Sequence, residues 1–221
     1  MPISEQTRAD AQAIIARYPE GHGRSALLPM LHLVQAEEGY VTVAGIAFCA
    51  QMLGLTKAEV GAVATFYTMY KRRPVGEHIV SVCTNTLCGL LGGDEIFAAT
   101  SAQLGVGHDQ TTEPAENGVA LTLEHAECLA ACDYAPVVTV DYEFFDRQTV
   151  DSTAALVAAL ERGEKPLPTR GAPLCSFRET SRLLAGFPDP RPDVVDAGPA
   201  GAPTLAGLAH IGSSAPADGA R

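Results

Sequence analysis

Residues 78–88 read HIVSVCTNTLC, and this stretch decides how the middle of the chain folds. Its first half alternates between apolar and polar side chains and predicts a strand that ends at Cys83. Residues 128–132 read CLAAC and follow a second predicted strand over residues 119–125. Each pair of cysteines therefore lies in a loop at the end of a strand. Two such loops at neighbouring strands can present four thiolates to one site.

The spacing within the two pairs bears on which metal they would hold. Four residues separate Cys83 from Cys88, and three separate Cys128 from Cys132. Structural zinc sites usually have two intervening residues and a tight turn. Wider loops suit a larger group with two iron atoms, each held by one pair of thiolates, and the glycines after Cys88 let the backbone pass close to the sulfurs. Spacing alone favours iron–sulfur chemistry and leaves zinc open.

The first 75 residues predict a small antiparallel helical bundle. Apolar periodicity and capping residues indicate four short helices over residues 4–17, 25–38, 42–53 and 56–70. The fourth has the clearest start, because Thr56 and Glu59 have capping-box spacing. Lys71, Arg72 and Arg73 follow it as a predicted cationic helix end, either solvated or in contact with a partner.

The rest of the chain predicts a small α/β domain and a tail. The pattern indicates strands over 78–83, 119–125, 137–142 and 144–149, with helices over 94–104 and from Asp151 or Ser152 to 162. A polar loop is predicted over 105–118. Regular pattern fades after Pro166, and residues 198–221 predict disorder. The predicted units are residues 1–75, 76–165 and 166–221.

Composition excludes some classes of function. The chain has 221 residues, 47% of them apolar, which is enough for a hydrophobic core. Its formal net charge is -11. Residues 76–165 carry three basic and fifteen acidic side chains, so a phosphate-binding surface and nucleic-acid binding are not expected. The chain starts without a signal-peptide pattern, and its most apolar stretch, residues 41–55, is too short to span a bilayer. We therefore expect a cytoplasmic protein whose six cysteines are thiols or metal ligands.

Three sequence runs resemble a known family. VATFY at 63–67, VCTNTLC at 82–88, and ECLAAC at 127–132 with Ala135-Pro136 are similar to the thioredoxin-like [2Fe-2S] family. Within it they resemble the family of E subunits of NADH-quinone oxidoreductases, the enzymes of respiratory complex I. The likeness covers roughly residues 5–165, with the helical bundle first and the cluster domain second. The chain departs from the pattern in the 39 residues between Cys88 and Cys128, where the extra length falls in the polar loop.

The resemblance implies a fold, a cofactor and partners. It implies an α+β chain in which an N-terminal antiparallel helical bundle precedes a thioredoxin-like domain. In that domain Cys83, Cys88, Cys128 and Cys132 ligate one [2Fe-2S] cluster. FMN and NADH are expected on a partner subunit, beside further subunits of the peripheral arm. The chain is then expected at the inner face of the cell membrane, as part of a complex and without membrane insertion.

Other interpretations stay open at this point. The same motifs fit the small [2Fe-2S] subunit of an NAD-linked formate dehydrogenase or hydrogenase. An interpretation of another class is a zinc-stapled structural adaptor without a redox role. Cys49 and Cys175 are expected to be free thiols, and His125 a strand-end histidine rather than a ligand.

The central acidity leads to a prediction about reduction potential. A cluster held by four thiolates is already negatively charged, and the acidic side chains around it disfavour the addition of an electron. These side chains are therefore expected to lower the reduction potential, although salt screens exposed charges. Neutralising several acidic residues between Glu77 and Glu164 should raise the midpoint potential measured by redox titration at low salt. An unchanged potential would mean that local hydrogen bonds set it instead.

Overall fold

The structure is a computed structural model that describes residues 3–191 and 201–214, the last four by backbone only. Its helices are α1 (Glu5–Ile15), α2 (Leu27–Glu38), α3 (Val43–Leu53), α4 (Lys57–Phe66), α5 (Thr86–Leu90), α6 (Gly93–Leu104), α7 (Val150–Glu161), α8 (Phe177–Leu184) and α9 (Ala202–Ser214). Its strands are β1 (His78–Cys83), β2 (Gln110–Thr111), β3 (Leu121–Ala126), β4 (Val138–Val140) and β5 (Glu143–Phe145). Single 3-10 turns cover Gly23–Ala26 and Cys132–Tyr134.

The first four helices form the predicted bundle. The side chains of Ser4, Thr42 and Thr56 each accept a backbone N–H three residues later, which satisfies donors that the first helical turn leaves free. Thr56 and Glu59 form both bonds of a capping box. The helices bury one apolar core, whose fully enclosed side chains include Ile14, Met30, Leu31, Leu33 and Val34.

The predicted end of the fourth helix is wrong. α4 ends at Phe66 rather than at residue 70, and the backbone of Tyr67 is extended. The reason is a competing set of bonds to the buried amide of Gln35. Its Nε2 donates to the carbonyl of Met69 at 3.1 Å, and its Oε1 accepts from the backbone N–H of Lys71 at 2.7 Å. The basic run at 71–73 therefore follows a bonded loop and not a helix end.

The predicted α/β arrangement is confirmed as a five-stranded sheet in the order β2-β3-β1-β4-β5. The central strand β1 is parallel to β3 and antiparallel to β4. One face of the sheet packs on α6 and α7 through a second apolar core that includes Val80, Val82, Leu123, Val140 and Leu160. Several local predictions differ. The polar loop contains β2, and β4 and β5 end at Val140 and Phe145 rather than at residues 142 and 149. Thr149 caps α7 in place of Asp151 or Ser152. The short helix α5 was not predicted.

Residues 166–221, where regular sequence pattern fades, contain α8 and α9. Ser176 and Glu179 form a capping box at the start of α8, a signal that is present in the sequence. α8 returns to the bundle, where Ser181 accepts from Gln35 at 3.2 Å and Arg182 pairs with Asp10 at 2.8 Å. Residues 198–200 and 215–221 of the predicted tail lie outside the described residues. The unit boundaries after residues 75 and 165 stay predictions.

The lengths of the helices bear on membrane insertion. Within residues 3–191 and 201–214, no helix is both long and apolar enough to cross a bilayer.

His32 gives the bundle a pH-dependent stability. Its ring is 9% exposed and packs against Tyr70 with ring centroids 4.8 Å apart. Burial lowers the pKa of His32 to about 4. The unfolded chain, with an ordinary histidine pKa near 6.5, takes up the proton first as pH falls. The free energy of unfolding should therefore decrease by about 2 kcal/mol between pH 7.5 and pH 5 on account of this residue.

The measurement is urea unfolding at both pH values for the wild type and His32→Asn. The variant cannot titrate, so its stability should fall less over the same interval, whatever its stability at pH 7.5. Equal losses in the two proteins would contradict the prediction.

Candidate metal centre

The two cysteine loops meet because β1 and β3 run in parallel and end at the same edge of the sheet. Cys83 is the last residue of β1 and pairs in register with Ala126, the last residue of β3. One residue further, the N–H of Thr84 donates to the carbonyl of Ala126 at 3.1 Å. The chain then leaves β1 toward Cys88 and leaves β3 toward Cys128, so both loops start from neighbouring points.

The first pair is buried. Cys83 and Cys88 are 2% and 3% exposed, and they form a small apolar cluster with Ala131 and Val137. The N–H of Cys83 donates to the carbonyl of Val137 at 3.0 Å, which ties the end of β1 to the segment before β4. The sheet thus holds Cys83, and Cys88, which lies in α5, packs in the same cluster.

Gly93 allows the close packing around this pair. A Cβ at that position would overlap the carbonyl oxygen of Cys83 and lie 2.9 Å from the carbonyl carbon of Cys88. A residue with a side chain would push the start of α6 away from the loop that carries both cysteines. The glycines that follow Cys88 were expected to allow a close backbone approach, and Gly93 does so.

The second pair is exposed. Cys128 and Cys132 lie in the loop after β3 with their Sγ atoms 3.7 Å apart. The N–H of Ala130 points at the sulfur of Cys128 at 3.3 Å, and the φ of Ala130 is +56°, in the left-handed region. This loop conformation supplies one backbone donor to a sulfur, and such a donor stabilises a thiolate ligand.

The four thiols influence one another across the pairs. Burial, followed by the neighbouring Cys83, raises the pKa of Cys88 to about 11, and Cys132 contributes to the same shift. The hydrogen bond with Cys128 raises the pKa of Cys132, with a further contribution from Cys83. A metal held by these thiols would have to displace their protons, which would make its binding dependent on pH.

These residues fit a [2Fe-2S] cluster. They offer four thiols in two pairs, a backbone N–H aimed at one sulfur, and an apolar wall behind the buried pair. In the described part of the chain, no three His, Cys, Asp or Glu side chains are grouped to hold a single metal ion. The assignment of the four ligands stays a prediction.

Cys49 and Cys175 lie elsewhere, whereas His125 and Ala135 border the site. Cys49 is buried in α3, and the Sγ of Cys175 is 3.3 Å from the hydroxyl of Thr180. The ring of His125 contacts that of His108 at an interplanar angle of 49°, with ring centroids 4.2 Å apart, and its Nδ1 is 3.4 Å from the hydroxyl of Thr84. The Ala135–Pro136 peptide bond is cis.

The sequence analysis did not predict a cavity beside Cys128 that charged side chains line in part. It encloses about 720 Å³ between the loop at 65–75 and the sheet face that α6 and α7 leave free. Lys71 and Glu124, only 11% and 12% exposed, form an ion pair in its wall. Arg72 and Arg73 also line it. Sequence reasoning could not place these residues here, because it continued α4 through the loop.

Comparison with known proteins places the chain among iron–sulfur proteins. The family model for thioredoxin-like [2Fe-2S] ferredoxins matches residues 11–161. The E subunit of the NADH-quinone oxidoreductase of Mycobacterium tuberculosis is 63% identical over 206 residues, which cover 93% of this chain and 79% of the relative. The corresponding protein of Rickettsia conorii is 38% identical over 152 residues, covering 68% and 89%.

A solved structure supports the fold. The crystal structure of an NAD+-reducing [NiFe]-hydrogenase in the H2-reduced state superposes on 63% of this chain with a TM-score of 0.53. The sequence identity is 18%, and the match covers 22% of the hydrogenase chain. The likeness concerns the fold alone.

The difference in burial predicts the order in which thiols of the iron-free chain react. Iodoacetamide should modify Cys128 and Cys132 first, because both are exposed. Cys49 should react last, because burial raises its pKa to about 12 and blocks access. Peptide mapping by mass spectrometry over time measures each rate, with the denatured chain as the control in which all six cysteines react. Labelling of Cys49 or Cys175 as fast as Cys128 would contradict the structure.

Proposed function

This chain belongs to the thioredoxin-like [2Fe-2S] ferredoxin family, and within it to the E subunits of NADH-quinone oxidoreductases, and we propose that Cys83, Cys88, Cys128 and Cys132 hold its one [2Fe-2S] cluster. The observation that carries the proposal is the convergence of the four thiols at one edge of the sheet. Cys83 and Cys88 would hold one iron, and Cys128 and Cys132 the other.

The protein residues around the site perform three tasks. The buried pair and its apolar neighbours exclude water from one side of the site. The N–H of Ala130 donates to the sulfur of Cys128 and stabilises negative charge there. The exposed pair leaves the other side open, which is the side from which electrons can enter or leave.

The function is electron transfer within an NADH-oxidising enzyme complex. A bound [2Fe-2S] cluster gains or loses one electron at a time, and with four thiolate ligands it leaves no iron position open for a substrate. The chain is therefore a component of an oxidoreductase, and it does not hold a complete active site. It exchanges single electrons with FMN on a partner subunit that also binds NADH.

The partner and the location follow from this role. The flavin-bearing partner would approach the site from the side of Cys128 and Cys132, because Cys83 and Cys88 are closed off by the protein. Further subunits of the peripheral arm would complete the complex. We propose that the chain works at the inner face of the membrane as a peripheral part of that complex.

The ligand assignment is tested by removing one thiol from each pair. Cys83→Ser and Cys128→Ser should each lose the visible iron–sulfur absorbance and the EPR signal of the dithionite-reduced protein. Cys175→Ser is the matched control, since it removes a buried thiol outside the site, and it should keep both signals. All proteins are purified without oxygen and assayed for iron and acid-labile sulfide.

Two outcomes would overturn the proposal. A full iron–sulfur spectrum in Cys128→Ser would show that the ligand assignment is wrong. A colourless wild-type protein with stoichiometric zinc and no EPR signal after reduction would show that the chain is a zinc-stapled adaptor.

A further inference from the structure

The two cysteine pairs differ in what holds them. Cys83 and Cys88 lie against the sheet and are buried, whereas Cys128 and Cys132 lie in an exposed loop. After Cys132 this loop continues as the single 3-10 turn Cys132–Tyr134. The position of the second pair therefore depends on contacts that hold this turn.

Tyr134 is held from the side of the sheet domain. The guanidinium groups of Arg147 and Arg170 lie 5.5 and 5.1 Å from the centroid of its ring. Its carbonyl accepts from the N–H of Arg147 at 2.8 Å, and Arg170 is itself fixed by Asp146 at 2.9 Å. These contacts restrict the movement of the tyrosine ring.

The start of α9 contacts the same turn. The hydroxyl of Thr204 donates to the carboxylate of Asp133 at 2.6 Å, one residue after Cys132. Gly201 abuts Tyr134 so closely that a Cβ there would overlap the tyrosine hydroxyl and lie 2.8 Å from Cζ. A side chain at position 201 would therefore collide with the tyrosine.

Much of the surface of α9 is open to solvent. The side chains of Leu205 and Leu208 are 54% and 57% exposed, and α9 carries no Asp, Glu, Lys or Arg. A helix of this length is marginal in water without packing, so the contacts at its start matter for its position. The match to the family model ends at residue 161, so α9 is an element outside it.

We propose that α9 is a positioning element of the cluster site, which clamps the turn Cys132–Tyr134 and thereby holds Cys132, the first residue of that turn, in place. The proposal rests on the ligand assignment made above. Gly201 and Thr204 are its positioning residues, and they act through Tyr134 and Asp133 on Cys132.

The test compares two glycines of the same segment. Gly201→Ala introduces the overlap with Tyr134, whereas Gly207→Ala places its Cβ in open space and serves as the matched control. Thr204→Val removes the bond to Asp133 at similar side-chain volume. A chain that ends at Arg191 removes α9 altogether, and its bundle and sheet do not depend on α9 for their cores.

Two properties of the purified, cluster-bearing chain are measured. The first is the rate at which a chelator removes the iron–sulfur absorbance. This rate should rise roughly three- to tenfold in Gly201→Ala, in Thr204→Val and in the shortened chain, because each loses about one hydrogen bond or contact. The second is the midpoint potential, which should shift in these proteins, because a less firmly held Cys132 changes the hydrogen bonds and the solvent exposure at its sulfur. Gly207→Ala should match the wild type in both.

Hydrogen exchange separates this proposal from the ligand assignment. The amides of residues 128–134 should exchange faster in the shortened chain than in the full chain, and this reports on the clamp even if the metal bound is not iron. The proposal would be overturned if the full and shortened chains had the same exchange, the same rate of cluster loss and the same potential. Equal effects of Gly201→Ala and Gly207→Ala would overturn it as well, because they would show that the contact with Tyr134 is not the cause.

Discussion

The site depends on the parallel pairing of β1 with β3. Because the two strands run in the same direction and end in register at Cys83 and Ala126, the loops that follow them start side by side. Antiparallel pairing would place the two cysteine loops at opposite edges of the sheet. A parallel pair needs a crossover connection, and α5 and α6 supply it between the two strands. The first cysteine pair lies at the beginning of that crossover.

The bundle and the sheet are joined by polar contacts as well as by the chain. The buried amide of Gln35 on α2 holds the carbonyl of Met69, the N–H of Lys71 and the hydroxyl of Ser181. Lys71 in turn pairs with Glu124 on β3. A buried amide is costly unless its hydrogen bonds are made, so the loop and α8 must both be in place for α2 to pack. This network positions the cavity wall beside Cys128.

The site combines a closed and an open half, and both halves have a use in electron transfer. The buried pair keeps one side dry, which strengthens the influence of nearby charges on a cluster. The exposed pair allows another protein to approach. The acidic side chains of residues 76–165 belong to the same domain as the site, and the core of that domain is apolar. The prediction that this net charge lowers the reduction potential therefore concerns residues of the domain that contains the candidate site.

Local signals in the sequence were sufficient for much of this protein. These signals depend on near neighbours in the chain: the capping residues Ser4, Thr42 and Thr56, the strand alternation at 78–83 and the two cysteine pairs. The bundle, the central strand and the four candidate ligands could therefore be predicted. The tertiary structure alone decided the end of α4, the return of α8 to the bundle and the contact of α9 with Tyr134. Each of these depends on partners far away in sequence, such as Gln35 for Lys71 and Asp133 for Thr204, and a periodic pattern carries no information about such partners.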